Sequence, residues 1–236
     1  MRRLVLLLFS SIYILTSLAQ TNTGELTFQM SLPQGGYKKT YPATGTGLML
    51  SALHQMKKTP SFRAGIELGF LQISGKDKSY TGVYDNEYNT FLVASWNYII
   101  TTAALFRINL MPEVKPWNVF TEVSFGANLF TTGASVSREQ YSDISRDFDQ
   151  VKYYYNESHN DWSLRAGVSA GAEFPFGKKK IAAAVCKFSY LYGSKATYYA
   201  KPVFQGTQII LNPRQSQTSM LLTEAGIRLG LFNKKG

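Results

Sequence analysis

Residues 161–176 read DWSLRAGVSAGAEFPF. Trp162, Leu164, Ala166, Val168, Ala170, Ala172, Phe174 and Phe176 fall on one side of a two-residue repeat, and Ser163, Arg165, Gly167, Ser169, Gly171 and Glu173 on the other. That period belongs to a β-strand, whose successive side chains point to opposite faces. The same alternation sets Phe62, Ala64, Ile66, Leu68 and Phe70 against Arg63, Gly65, Glu67 and Gly69 in 61–74. In 117–132 it sets Val119, Val123, Phe125, Ala127 and Leu129 against Glu122, Ser124, Gly126 and Asn128. In 217–232, Leu221, Ala225, Ile227, Leu229 and Leu231 oppose Glu224, Gly226, Arg228 and Gly230. Weaker runs occupy 24–33, 44–56 and 180–193.

The stretch 89–111 has a rival reading. Phe91 to Phe106 carries no charge, as a membrane helix would. Its Ser, Asn and Thr content and its β-rich composition favour a strand, and one parity holds throughout. Leu92, Ala94, Trp96, Tyr98, Ile100, Ala104, Phe106 and Ile108 face one way, and Ser95, Asn97, Thr101, Arg107 and Asn109 the other.

Eight strands result, joined by 34–43, 57–60, 75–88, 112–116, 133–160, 177–179 and 194–216, long and short connections in strict alternation. That rhythm predicts an all-β, eight-stranded antiparallel up-and-down transmembrane β-barrel, with short periplasmic turns and long external loops. The first strand should close against the last. In lipid every backbone polar group must be paired within the protein, so only a helix or a closed sheet can span. The apolar face then points outward and the polar, glycine-rich face lines the lumen. Gly65, Gly69, Gly126, Gly167, Gly171, Gly226 and Gly230 share the lumen parity, where small residues leave room for long charged ones. Two aromatic belts are expected at the interfaces: Trp117, Phe120, Phe174, Phe176 and Phe232 near the turns, and Tyr80, Tyr84, Tyr88, Trp162, Tyr190, Tyr192 and Tyr198 near the loops. The N-terminal part of 89–111 should project outward as a ribbon with 61–74.

Composition agrees. Of 236 residues, 44% are hydrophobic, 14% aromatic and only 17% charged, which excludes a disordered chain. The mean hydropathy of −0.13 argues against a bundle of membrane helices. One Cys leaves no internal disulfide and no Cys-rich metal site. Residues 1–19 read as a secretory signal: Arg2 and Arg3, an apolar run from Leu4 to Leu15, then Ser17-Leu18-Ala19 before Gln20. The rival is a retained anchor, for which the run is short. The mature barrel domain is then 20–236, located in the outer membrane. Export makes nucleic acid a poor partner despite the net charge of +10.

The lumen-parity charges are Arg63, Glu67, Arg107, Glu122, Arg165, Glu173, Lys187, Glu224 and Arg228. Buried charges are tolerated when paired and hydrogen-bonded, so these nine are expected to form a structural ion-pair network. Arg107 should meet Glu122 or Glu67, and Lys187 sits between strands bearing Glu173 and Glu224. Charge also differs between the two ends. The turns and tail carry Lys57, Lys58, Lys115, Lys178, Lys179, Lys234 and Lys235 against Glu113. The segment 133–160 carries Arg138, Arg146 and Lys152 against Glu139, Asp143, Asp147, Asp149 and Glu157. A basic periplasmic side facing acidic headgroups is one reading, and solvated turn lysines the other.

Other groupings are weaker. His54 lies near the short turn 57–60, where an interfacial polar residue is the plain reading. His159, with Ser158 or Ser163 and Asp161, could be drawn as a nucleophile relay, but neighbouring residues on one loop rarely reach hydrogen-bonding geometry. Asp143, Asp147 and Asp149 could offer oxygens to Ca²⁺, without the spacing of a known loop. Tyr153-Tyr154-Tyr155 could be an adhesive patch or pack on the rim, and Cys186 is an apolar filler on the lipid side. No cofactor, metal or catalytic residue is expected.

The stretches FTEVSFGANLFTT (120–132), LRAGVSAGAEF (164–174), FSYLYGSKATYY (188–199) and RQSQTSMLLTEAGIRLGLF (214–232), and more weakly SLPQGGY and AGIELGFL within 29–74, resemble small outer-membrane β-barrel proteins of Bacteroidetes-type bacteria. The resemblance implies a barrel and carries no enzymatic activity. Unlike many such barrels the chain runs past Phe232 through Asn233-Lys234-Lys235-Gly236. Expected partners are outer-membrane lipid, the barrel-assembly machinery during insertion, and an extracellular ligand or envelope protein through 133–160 and 194–216, with the chain itself a monomer. The expected role is structural or loop-mediated binding. The rivals are an enzyme acting on lipids, a narrow channel or transport component, and an accessory barrel of a secretion machine.

Overall fold

The structure is a computed structural model that describes residues 21–56, 59–73, 78–84, 87–111, 117–141, 148–177, 181–199, 203–205, 208–210 and 212–233. Eight strands close into one antiparallel barrel: β1 (Thr21–Pro33), β2 (Gly45–Met56), β3 (Thr59–Ile73), β5 (Glu87–Asn109), β6 (Asn118–Tyr141), β7 (Phe148–Phe176), β8 (Ala182–Gly193) and β13 (Met220–Asn233). Neighbours in this order pair with each other, and β1 closes on β13 from Pro33↔Met220 to Thr21↔Asn233. The stretch 89–111 is strand as far as Asn109, and among the described residues no helix is long and apolar enough to cross a membrane.

The parity read from the sequence is the parity of the walls. Leu26, Phe28, Leu50, Leu68, Phe125, Leu164, Val168, Phe188 and Ile227 are exposed on the outside, Leu164 by 72%. Glu25, Thr27, Gln29, Ser31, Glu67, Asn97, Arg107, Glu122, Asn128 and Glu173 are buried inside. A protein with a charged interior and a continuous apolar exterior is built for a hydrocarbon solvent. Trp117, Phe174 and Phe176 at one end, and Trp162, Tyr190 and Tyr192 at the other, stand outward. Two of the expected belt residues do not: Phe120 and Tyr198 are fully buried. Phe120 shares the parity of Glu122 and lies inside under Arg107, while Tyr198 fills the lumen at the loop end. The Phe232 side chain and those of Tyr80, Tyr84 and Tyr88 lie outside the described residues.

Some lumen glycines do more than leave room. A Cβ on Gly226 would stand 2.0 Å from the Leu26 carbonyl oxygen, and one on Gly126 2.0 Å from that of Thr102. Only a residue without a side chain lets the neighbouring strand approach so closely. At Gly69, by contrast, the nearest atoms belong to the Met49 side chain. This glycine fits the expected role of making space.

Beyond the barrel, the four long connections carry structure. After β1 a short helix, α1 (Gly35–Thr40), starts at Gly35 with φ 57°. β4 (Lys78–Tyr84) pairs with residues 87–93 of β5, so the ribbon partner of that projecting segment is 78–84 and not 61–74. β6 and β7 continue as one hairpin through 133–141 and 148–160, where the sequence suggested an open loop. The polar residues there lack an apolar face, so alternation gave no signal. Within 194–216, β9 (Lys195–Tyr199) pairs with β12 (Pro213–Gln217), and β10 (Val203–Gln205) with β11 (Gln208–Ile210).

Candidate functional site

Among the described residues, chemistry-bearing side chains converge in the lumen. Its turn-side half holds Arg63 on β3, Arg107 on β5, Glu122 on β6, Glu173 on β7, Lys187 on β8 and Arg228 on β13, all buried. Arg107 is fully enclosed and is the hub. Its Nε donates to Glu122 Oε2 at 2.8 Å, its Nη2 to Glu25 Oε2 at 2.7 Å and its Nη1 to Glu173 Oε1 at 2.6 Å. Nη1 also donates to Glu25 Oε1. The guanidinium carbon lies 3.9 Å from the centre of the Phe120 ring, a cation–π contact in a desolvated setting.

The rest of the lattice grows from those carboxylates. Glu173 also takes Arg228 Nη1 at 2.8 Å and Arg63 Nη1 at 3.2 Å. Lys187 Nζ lies 3.2 Å from both Glu122 Oε1 and Glu224 Oε2. Thr27 and Ser189 donate hydroxyls to Glu224. Arg165 Nη2 donates to Glu67 and, at 3.0 Å, to Ser124 Oγ. Five cations (Arg63, Arg107, Arg165, Lys187, Arg228) thus balance five carboxylates (Glu25, Glu67, Glu122, Glu173, Glu224).

All nine charges expected in the lumen lie there. Arg107 meets Glu122, one of its two expected partners, while Glu67 goes to Arg165; Lys187 meets Glu122 and Glu224 and not Glu173. The sequence reading also missed Glu25. The signal was available, because Glu25, Thr27, Gln29 and Ser31 alternate with Leu26, Phe28 and Met30.

Above this lattice the inward side chains turn apolar. Leu71, Ile73, Ile99, Phe130, Leu191, Met220 and Leu222 surround Tyr37, Ala196 and Tyr198. Tyr37 comes from α1 and packs edge-on against Phe130 and Tyr198, with centroids at 5.8 and 5.0 Å. Its hydroxyl accepts from Asn97 Nδ2 at 2.9 Å, and burial pushes it well above the ordinary phenol range, so it stays neutral. Tyr41 donates to the Tyr199 carbonyl, and the Gln34 N–H to the Ser219 carbonyl at 2.8 Å. α1 and the β9–β12 hairpin therefore stop the loop end of the lumen.

The hairpin is held to the barrel by Asp161. The Thr197 N–H donates to its Oδ2 at 2.6 Å and the Trp162 N–H to its Oδ1 at 2.8 Å. The Thr197 bond is the main reason its carboxyl sits below the ordinary carboxylate range. The anchor is therefore intact above that range and loosens as pH falls through the depressed value. Asp161→Asn keeps the shape and removes the charge. We expect it to raise proteolysis within 194–216 at neutral pH while the folded barrel band on unheated gels persists; unchanged proteolysis would show that the hairpin is held elsewhere.

The proposed relay does not assemble as drawn. Ser163 hydrogen-bonds Ser194 and Thr218, Asp161 is taken by Thr197, and the His159 ring lies 5.7 Å from that of Tyr199. His54 stands half-buried on β2, opposite Ala64, and Cys186 is exposed on the outward face. Asp143 and Asp147, the side chains of Asp149 and Tyr153–Tyr155, and the turn and tail lysines lie outside the described residues.

No family model matches the chain, and no curated protein matches it. Solved structures similar to it are small outer-membrane barrels. Neisserial surface protein A of Neisseria shares 12% identity over 89% of this chain and 97% of that one, at a TM-score of 0.47. A major outer membrane protein from Thermus thermophilus shares 12% identity over 88% and 99%, at 0.45. Ail, the attachment invasion locus protein of Yersinia pestis, shares 14% over 89% and 99%, at 0.33.

Proposed function

We propose that the chain is an integral outer-membrane protein whose barrel is a closed post, not a conduit, and whose working surface is the set of elements carried above it. The observation that carries this reading is the double filling of the lumen. A charge-neutral lattice occupies the turn side, and an apolar plug around Tyr37 occupies the loop side. A water path would have to displace paired charges below and packed aromatic rings above. β4, the outer parts of β5–β7 and the β9–β12 hairpin are the surface on this reading for a ligand or an envelope protein. On the same reading residues 1–19 are removed on export, and the assembly machinery inserts the rest.

Planar-bilayer recording of the purified full chain tests the closed lumen. No ohmic steps above the bare-bilayer baseline are expected under conditions where a porin gives regular openings. Reproducible steps that scale with protein added would overturn the reading.

A further inference from the structure

We propose that the outward face of β5, β6 and β7, just above the lipid-facing wall, binds the sugar headgroup of an outer-leaflet glycolipid, with Trp96 as the stacking platform. The proposal rests on the outer-membrane reading above. About 9–11 residues of a tilted strand cross the hydrocarbon. Counted from Ile108, Val119 and Phe174 at the turn side, that span ends near Tyr98, Leu129 and Leu164. The last apolar rung is Ile100–Leu129–Trp162, with Ile100 and Trp162 exposed. The next outward rungs are Tyr98–Thr131–Asn160 and Trp96–Gly133–Ser158. Neighbours within a rung are ladder partners, so their side chains start about 5 Å apart. Ser158 and Asn160 are exposed, and Trp96, Tyr98 and Thr131 are half-buried.

Trp96 and Gly133 make the platform. A Cβ on Gly133 would stand 2.4 Å from both Cε2 and Cζ2 of Trp96 and 2.7 Å from its Nε1. An edge-on ring would bring Nε1 nearer than Cε2, so the indole lies face-down on the glycine. Its other face is turned away from the sheet. Tyr98 is already stacked on Phe70 at 5.5 Å, which leaves Trp96 as the open ring. Around it stand the hydroxyls of Thr131 and Ser158 and the amide of Asn160, and neither rung carries a charge. Among the described residues no side-chain hydrogen bond engages these three groups or Trp96 Nε1. The chemistry selects the occupant. Sugar C–H groups, partly positive, seat on the negative face of an aromatic ring, and sugar hydroxyls match side chains that both donate and accept. A phosphate headgroup would call for cations, and the core of a protein interface for a larger apolar cluster. The position selects the source, because this face continues directly upward from the hydrocarbon-facing Ile100 and Trp162.

The test uses the full chain, folded in a detergent without a sugar headgroup. Retention of digalactosyl diacylglycerol, an uncharged glycolipid, is compared with that of phosphatidylcholine of the same acyl chains and of free digalactose. The wild type should retain the glycolipid over phosphatidylcholine. Trp96→Leu should weaken glycolipid retention about fivefold, while Trp96→Phe, which keeps a ring face, should preserve most of it. Gly133→Ala keeps the indole but lifts it from the sheet, and should lose as much as Trp96→Leu. Variants are compared at matched heat-modified mobility. If Trp96→Leu does not fold, the exposed pair Ser158→Ala, Asn160→Ala carries the test, with an expected loss of about threefold. Equal retention of the two lipids by the wild type, or of the glycolipid by wild type and variants, overturns the proposal alone. Free digalactose bound as tightly as the glycolipid overturns the lipid source and makes the site one for soluble glycans. Recovery of the wild type in the soluble or inner-membrane fraction overturns the outer-membrane reading and this proposal with it.

Discussion

Arg107→Leu should lower the unfolding free energy of the barrel by about 3–5 kcal/mol, the usual cost of leaving a buried charge without its partner. The loss falls unevenly on the three carboxylates that Arg107 holds. Glu122 keeps Lys187, and Glu173 keeps Arg63 and Arg228. Glu25 loses both of its charged hydrogen bonds, and the Phe120 ring loses its cation. Arg107→Lys should fall between wild type and leucine, because one ammonium cannot reach three carboxylates as a planar fork does. Glu122→Ala should also destabilise, since it strands Arg107 Nε and half of the Lys187 pairing. Urea titration followed by the mobility difference between folded and boiled samples reads these changes. A leucine variant within about 1 kcal/mol of wild type would show that the lattice contributes little to stability.

Gly226→Ala should prevent closure of the barrel, although it adds one methyl group. The new Cβ would stand 2.0 Å from the Leu26 carbonyl oxygen and 2.6 Å from Thr27 Cα. Both are backbone atoms of the strand that seals the sheet, so relief requires β1 and β13 to separate at their seam. The folded, heat-modifiable band should be lost or strongly reduced. Gly69→Ala is the matched control, because its nearest atoms are the end of the flexible Met49 side chain at 2.8 Å. That variant should fold with a modest loss. Equal behaviour of the two would mean that strand approach at Gly226 is not what the glycine provides.

The walls of the barrel were readable because lipid and lumen impose opposite demands on alternate residues. Residues 161–176 display this without interruption. The pairing inside the lumen was only half readable. Arg107 and Glu122 are ladder partners on adjacent strands, and a register argument reaches such pairs. Arg107 with Glu25, and Arg63 with Glu173, span the lumen between strands that are not neighbours. Those contacts depend on the shear and diameter of the closed barrel, which no single strand encodes. The apolar plug escaped for another reason. Leu71, Ile73, Ile99 and Phe130 keep the lumen parity, yet side-chain chemistry alone would assign them to lipid. Tyr37 lies on a helical turn of six residues, too short for any periodic signal.

The ion lattice also bears on how the chain can assemble. Glu25 on β1 and Arg63 and Glu67 on β3 are the lattice charges of the first three strands, and each finds its partner in the later strands: Arg107, Glu173 and Arg165, at sequence separations of 82, 110 and 98 residues. An N-terminal sheet of three strands therefore has no internal means of neutralising its inner face, and the remaining five strands are short of the same three complements. Neither portion is a finished intermediate. Contacts this distant in sequence are costly to reach before closure and rewarded only afterwards. The last strand must meet the first while the whole inner surface is still wet. Water leaves only when every charge has its counterpart, so closure and drying are one event.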